Sequence, residues 1–440
     1  MRVKTLIRFC TAVTMIGTHA HAETLNDAVS KALATHPTLE SASAVLDNTR
    51  HQRKEFVSNY YPTLSANVTG GRIFQDNATT RGLTVTRGSA YSYLWEGGMT
   101  ARQMLFDGFE TRNRIDSANA RKLAAEFTLT DTRETLAFNT IQSYVEVLRT
   151  RKSVILIENQ LSKTADYLSR IEQAMNDGAA DESEYKRASD ILSNLEGLLI
   201  QYKGQEMAAI AQYTEYTGHA PPKDLDNPDE RYMGDSKALK EALDYVAIDH
   251  PAVRASIMSL KSAGYDIAAE KAQYYPDING ELSYLKSDKR EEIGGELEDG
   301  RAVLRVTWDF ETGSGQSARV AQKKSREAEL RARVEQIKRQ VQKGVMLAYA
   351  ELKTSQELLD NQAERTSLTG DLYNTYQEQY EGALVRMIDL AQADFEHFQT
   401  VLDLTNAAHR ALVAEYAVRA STGELMTALH APPTAMDTTE

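Results

Sequence analysis

Two hydrophobic periods alternate along this chain. Val334, Ile337, Val341, Val345, Ala348 and Leu352 recur at three- and four-residue steps, as do Ile141, Val145 and Leu148, and Leu161, Ala165 and Leu168. Such steps set an apolar stripe on one face of an α-helix. The positions between are mostly Glu, Lys, Arg, Gln, Ala and Ser, which favour helix. Proline interrupts a helix interior, and residues 112–218 and 316–430 contain none. Asn113 to Asn176 alone is 64 residues, about 96 Å at ~1.5 Å per residue. A rod of that length buries its stripe only against rods of similar length. An antiparallel coiled coil in water would serve as well as a tube.

The second period is two. Ile278, Gly280, Leu282 and Tyr284 oppose Asp277, Asn279, Glu281 and Ser283. Ala302, Leu304, Val306, Trp308 and Phe310 oppose Arg301, Arg305, Thr307 and Asp309, with Val303 the exception. Leu64, Ala66 and Val68 oppose Thr63, Ser65, Asn67 and Thr69. A return strand is expected within Tyr91 to Phe106, interrupted at Gly97-Gly98, with turns at Gly82 and Gly88 and at Gly294, Gly295 and Gly300. Alternation marks strands with one apolar and one polar face. Four such strands, about ten residues each, match the wall of an outer-membrane barrel, although hairpins packed on helices in water would alternate too. Four strands are too few to close a barrel, and lipid does not tolerate an open strand edge. A membrane reading therefore requires several chains, and the same assembly would cover the helical stripes.

The chain is a duplication. Leu25 to Pro37 reads LNDAVSKALATHP and Leu239 to Pro251 reads LKEALDYVAIDHP. His36-Pro37 and His250-Pro251 stand 214 positions apart, as do Tyr60-Tyr61-Pro62 and Tyr274-Tyr275-Pro276. Phe106-Asp107 then answers Trp308-Asp309, and Gly178 answers Gly382 at a shift of 204. The organisation expected is a leader over 1–22, a first repeat over 23–217 and a linker over 218–236 holding Pro221, Pro222 and Pro228. A second repeat over 237–430 and a tail over 431–440 follow. The first repeat holds a β-hairpin within 62–107 and a long helix hairpin over 112–217; the second holds them within 276–310 and over 316–428.

Composition narrows the class. Arg2, Lys4 and Arg8, the apolar run from Phe9 to Gly17, and Ala20-His21-Ala22 read as a secretory signal cut before Glu23. Cys10, the sole cysteine, lies inside it and far from the cut, so no disulfide and no acylated terminus are expected. The formal charge is −13, and the mature chain is more acidic still, which disfavours nucleic acid as a partner. No stretch of about 18 apolar residues offers a transmembrane helix. The sequence carries no nucleophile motif, phosphate-cradling loop or metal-ligand spacing, so neither enzymatic activity nor a cofactor is expected. His36 and His250 are read as positioning helix breaks.

The duplicated L-x-x-A-L/V…H-P start, the Tyr-Tyr-Pro before each hairpin, the aromatic-Asp exits (Phe106 to Gly108, Trp308 to Gly313) and the glycine-acidic turns near Gly178 and Gly382 together resemble the TolC-like outer-membrane factor family, over essentially the whole mature chain. The resemblance implies an α+β membrane protein: a homotrimer whose twelve strands, four per chain, form one transmembrane β-barrel in outer-membrane lipid, continued into the periplasm by a long α-helical coiled-coil barrel. It implies a passive conduit working with a periplasmic adaptor and an inner-membrane transporter. The unacylated terminus looks more like type I secretion or general TolC members than acylated multidrug-efflux members, so between secreted protein and small-molecule cargo it favours type I secretion with an ABC transporter. It also implies a gate at the turns 176–185 and 380–392. Asp389 resembles the family's constricting aspartate, and Tyr380 its gate tyrosine. Gln392 stands where a second aspartate is often found, and Arg386 is displaced by an extra residue. Asp181 and Glu184 are the acidic candidates of the first turn. Carboxylates clustered on an axis repel, raise one another's pKa and attract cations; as single turn residues they would simply cap helices. The competing reading of the whole chain is a soluble periplasmic coiled-coil adaptor or scaffold.

Overall fold

The computed structural model describes residues 22–75, 90–228, 238–289 and 295–429. The helices are α1 (Leu25–Thr35), α2 (Pro37–Ser58), α3 (Glu110–Asn176), α4 (Glu182–Thr217), α5 (Leu239–Asp249), α6 (Pro251–Ala272), α7 (Gly315–Glu381), α8 (Met387–Thr422) and the short α9 (Leu425–Ala428). The strands are β1 (Thr63–Gln75), β2 (Ala90–Phe106), β3 (Asp277–Lys289) and β4 (Glu296–Thr307). The leader through residue 21, most of the expected linker, the tail, and Gly82, Gly88 and Gly294 lie outside the described residues.

The duplication extends to element length. α1 and α5 each have 11 residues, α2 and α6 22, β1 and β3 13, α3 and α7 67, and α4 and α8 36. Only the return strands differ, at 17 and 12 residues. The His-Pro joints explain one pair of boundaries. Proline is suited to the first helical position, where its missing N–H costs nothing. The preceding histidine caps the helix: Nδ1 of His36 accepts from Thr38 N and Nδ1 of His250 from Ala252 N, each at 3.2 Å. The histidines therefore start helices as well as break them.

The contacts divide the chain into two compact units, each drawing on both repeats. One comprises residues up to 32, 140–232 and 366–409; the other comprises 33–139, 233–365 and the residues from 410 on. The first unit is held by Val154, Ile157, Ile191, Leu195, Tyr202, Phe398 and Leu402. Here too the hydroxyl of fully buried Tyr144 lies 2.7 Å from the carbonyl oxygens of both Glu23 and Asp226, which share its one proton. Thr24 and Asp27 form a reciprocal capping box that opens α1.

The second unit contains the sheet, ordered β1-β2-β3-β4 and antiparallel throughout. Leu64 pairs with Ala101, Ala101 with Leu282 and Leu282 with Ala302, so one row crosses all four strands on one face. That face carries Leu64, Val68, Trp95, Met99, Leu282, Tyr284, Leu304 and Val306, all exposed. On the other, Glu281 meets Arg305 at 3.2 Å and Arg102 at 3.6 Å. Three sequence expectations are corrected. β2 runs unbroken through Gly97-Gly98, which pair with Val68 and Asn67 in the ladder; a Cβ on Gly98 would stand 2.8 Å from Asn67 Oδ1. Gly300 stands in the ladder opposite Tyr284 rather than in a turn. β4 ends at Thr307, so Trp308 and Phe310 do not extend its face; Trp308 instead donates from Nε1 to the Tyr274 carbonyl at 3.3 Å. Gln103 does the same for Tyr60 at 3.0 Å, so each Tyr-Tyr-Pro is tied to the end of its own hairpin.

In the same unit the buried carboxylate of Glu134 accepts from the backbone of Leu425 at 2.9 Å and Met426 at 3.3 Å, capping α9. Val345 packs with Ala242 and Val246.

Candidate gate at the paired helical turns

α3 and α7 end in the same way. Gly178 N donates to Met175 O and Ala179 N to Ala174 O; Ala383 N donates to Tyr380 O and Leu384 N to Gln379 O. These are Schellman terminations, in which the residue after the cap takes a left-handed conformation. That residue is Gly178 (φ 77°) in the first turn and Ala383 (φ 57°) in the second. The equivalence of Gly178 with Gly382 is thereby corrected. The hydrogen-bond pattern repeats at a shift of 205, and Gly382 is still in the helical cap. An alanine standing where glycine is favoured disguised the register.

Each turn spends five residues before the next helix begins at Glu182 or Met387. Glu184 and Asp389 are then equivalent, the third residue of α4 and of α8. Beneath them Ile171, Ala188 and Ile388 form a buried cluster flanked by Leu168, Tyr185 and Met387. This apolar contact seats the two turns side by side.

Arg386 joins them. Its Nε and Nη2 donate to Asp389 Oδ2 and Oδ1 at 3.2 and 3.3 Å, and its Nη1 donates to Glu184 Oε1 at 3.2 Å. Asp389 Oδ2 also takes the backbone N–H of Arg386 at 3.3 Å, so Asp389 caps α8 and binds the guanidinium together. Hydrogen bonding to Asp389 raises the Arg386 pKa further above its usual value, with the charges of Asp389 and Glu184 adding to it. Glu184 is buried while Arg386 is open to solvent. Asp181 is the N-cap residue of α4 without a side-chain cap bond. The side chains of half-buried Tyr380 and exposed Gln392 make none of these contacts to Arg386. The turns thus bring together Glu184, Arg386 and Asp389 of the six sequence candidates.

One acid escaped the sequence reading. Asp394, 1 % exposed, accepts from Gln160 Nε2 at 2.7 Å and lies 3.5 Å from Lys163 Nζ. Its signal was available, since Asp394 falls in helical step with Leu390, Ala391 and Phe398 on the buried stripe of α8. Among the described residues no helix is long and apolar enough to cross a membrane. No group of acids and histidines there is arranged to hold a metal ion.

The family model described as outer membrane efflux protein matches residues 28–219 and 243–424, one stretch in each repeat. The chain belongs to the outer membrane efflux protein family. Its relative BepC, an outer membrane efflux protein of Brucella suis biovar 1, is 22% identical over 416 residues, 93% of this chain and 88% of BepC. The fold is that of the Campylobacter jejuni CmeC outer membrane channel (TM-score 0.78, 14% identity, 91% of this chain and 86% of that one). It is also that of the Neisseria gonorrhoeae MtrE outer membrane channel in its open state (TM-score 0.77, 17% identity, 91% and 88%). This member is accordingly an efflux channel of the outer membrane, with its helical part in the periplasm, and a passive one rather than an enzyme. Homotrimers that work with a periplasmic adaptor and an inner-membrane pump are general to the family.

Proposed function

We propose that three copies of this chain close a twelve-stranded barrel in outer-membrane lipid, and that the Glu184–Arg386–Asp389 cluster is the lock of its periplasmic gate. The row of apolar residues crossing all four strands supplies a lipid-facing wall, and the free edges of β1 and β4 require partners that only other copies provide. The observation that carries the gate is the Arg386 bridge. It ties the start of α8 to the start of α4 within one chain, and a mouth that widens by moving one turn past the other must break it. Asp389, repeated threefold, would place carboxylates around the axis and favour cations. Tyr380, Gln392 and Asp181 line the same turns outside the lock. Single-channel recording in planar bilayers tests this: Arg386→Ala should raise closed-state conductance, and Asp389→Ala should weaken cation preference. Conductance and selectivity equal to the parent channel in both variants would remove the gate.

For the cargo we favour type I secretion with an ABC transporter as the inner-membrane partner. What supports the preference is the expectation from the sequence that Cys10, the sole cysteine, belongs to a leader rather than to an acylation site. Reciprocal co-purification from the native cell decides between an ABC transporter and a proton-driven pump. Recovery of the pump alone would replace secretion by small-molecule efflux.

A further inference from the structure

We propose that the distal rim of the sheet's apolar face binds the phosphate groups of the outer-leaflet glycolipid through Arg72. The site deepens the barrel reading above and rests on it.

Arg72 lies on the apolar face, in register with Tyr93 of β2. Its guanidinium carbon sits 5.1 Å from the centre of the Tyr91 ring and 5.6 Å from that of Tyr93. Tyr91 in turn packs against Phe74, 5.1 Å between centres. Tyr91, Tyr93 and Phe74 are each about half exposed or more. Two places lower on the same face, the Trp95 ring lies over Gly70, 3.1 Å from where a Cβ would stand. The result is an aromatic platform holding one cation.

That cation meets no carboxylate among the described residues. The contrast is Lys286, on the same face, which is held by Glu298 at 2.7 Å and Glu296 at 3.3 Å. On the other face Arg305 and Arg102 share Glu281. A guanidinium stacked on two rings turns its N–H fork to the edge, and such a fork suits phosphate oxygens two at a time.

Height places the cation at headgroup level. Arg72 follows Pro62 by ten residues, about 33 Å of strand at ~3.3 Å per residue, or about 25 Å of height at a tilt near 40°. That is the thickness of an outer-membrane barrel's apolar band. Tyr60, Tyr61, Tyr274 and Tyr275, exposed before each hairpin, mark its near edge. Arg72, Tyr91 and Tyr93 mark its far edge, where the phosphorylated sugars of the outer leaflet lie.

The test uses the purified full-length trimer in detergent, titrated with diphosphorylated lipid A while its thermal dissociation is followed. Dephosphorylated lipid A, phosphatidylglycerol and inorganic phosphate serve as the other arms. The parent channel should bind diphosphorylated lipid A about tenfold more tightly than the dephosphorylated form, and Arg72→Gln should lose about that factor. Lys286→Gln should titrate like the parent. Tyr93→Leu, which removes half the platform, should weaken binding in the same direction and stands in if Arg72→Gln does not assemble. Equal binding of the two lipid A forms, an Arg72→Gln titration matching the parent, or the same loss in Lys286→Gln overturns the site. Equal binding of phosphatidylglycerol overturns the glycolipid as its occupant. A trimer recovered from outer membranes without this discrimination loses the site alone. A chain absent from outer membranes loses the barrel with it.

Discussion

Arg386 donates from Nη1 to Glu184 Oε1 at 3.2 Å, joining two turns 202 residues apart in sequence. The same guanidinium holds Asp389. Arg386→Lys should open the gate nearly as far as Arg386→Ala, because an ammonium has no planar fork to serve two carboxylates at once. A double-mutant cycle with Glu184→Gln, read as closed-state conductance, should be strongly non-additive. Additive effects would mean that the two residues act separately.

Ala383 holds a left-handed backbone at φ 57° where its counterpart in the first turn is glycine. A side chain there costs about 1 kcal/mol. Ala383→Gly should therefore stabilise the trimer by about 1 kcal/mol in thermal melts, and Gly178→Ala should destabilise it by a similar amount. No change in either variant would contradict the shared Schellman geometry.

Two buried groups give the stability opposing pH slopes. Burial pushes Glu134 up to about 7, against the backbone bonds from Met426 and Leu425 that lower it and with Asp131 and Glu424 adding to the rise. The folded state therefore keeps a proton that the unfolded chain releases near pH 4.5, and this contribution is lost as pH rises from about 4.5 to about 7. Burial pushes His250 down to about 4, in keeping with the bare Nδ1 that its capping role requires. The unfolded chain takes up that proton near pH 6.5, so this contribution is lost as pH falls towards 4. Each is worth on the order of 3 kcal/mol across its window. Glu134→Gln should leave melting that worsens on acidification, and His250→Asn melting that improves. Parallel profiles in both variants would refute the assignment.

Tyr144 shares its hydroxyl proton between the carbonyls of Glu23 and Asp226 and so secures both segments. Burial, with the charges of Asp226 and Glu23, raises its pKa, so it remains a donor throughout the physiological range. Tyr144→Phe should cost about 1–2 kcal/mol by leaving buried acceptors short of a donor. Faster proteolysis at residues 22–25, followed by terminal sequencing, would report the loosened segment.

The elements with strong periods are legible in the sequence. The rods followed from proline-free stripes and the β3–β4 hairpin from alternation. The first hairpin was harder to read because β2 carries Gly98, whose Cβ space is taken by the Asn67 side chain across the ladder, and no single-strand pattern records that. At the turns, residue types suggested acids and an arginine but not their pairing. Glu184 and Asp389 become equivalent only once Ala383, rather than a glycine, is recognised as the left-handed residue. Arg386 drew attention as displaced from the family's pattern, whereas its reach across to Glu184 depends on how Ile171, Ala188 and Ile388 seat the turns.

The matching of α3 with α7 at 67 residues, and of α4 with α8 at 36, constrains how this protein can change in size. A heptad inserted into one long rod alone would shift its bend by about 10 Å at ~1.5 Å per residue, pulling the guanidinium away from its distant acid. Growth or shrinkage must occur in both halves at once, by the same number of turns. Lineages of such ducts should therefore differ in reach by paired increments, never by a change confined to one arm.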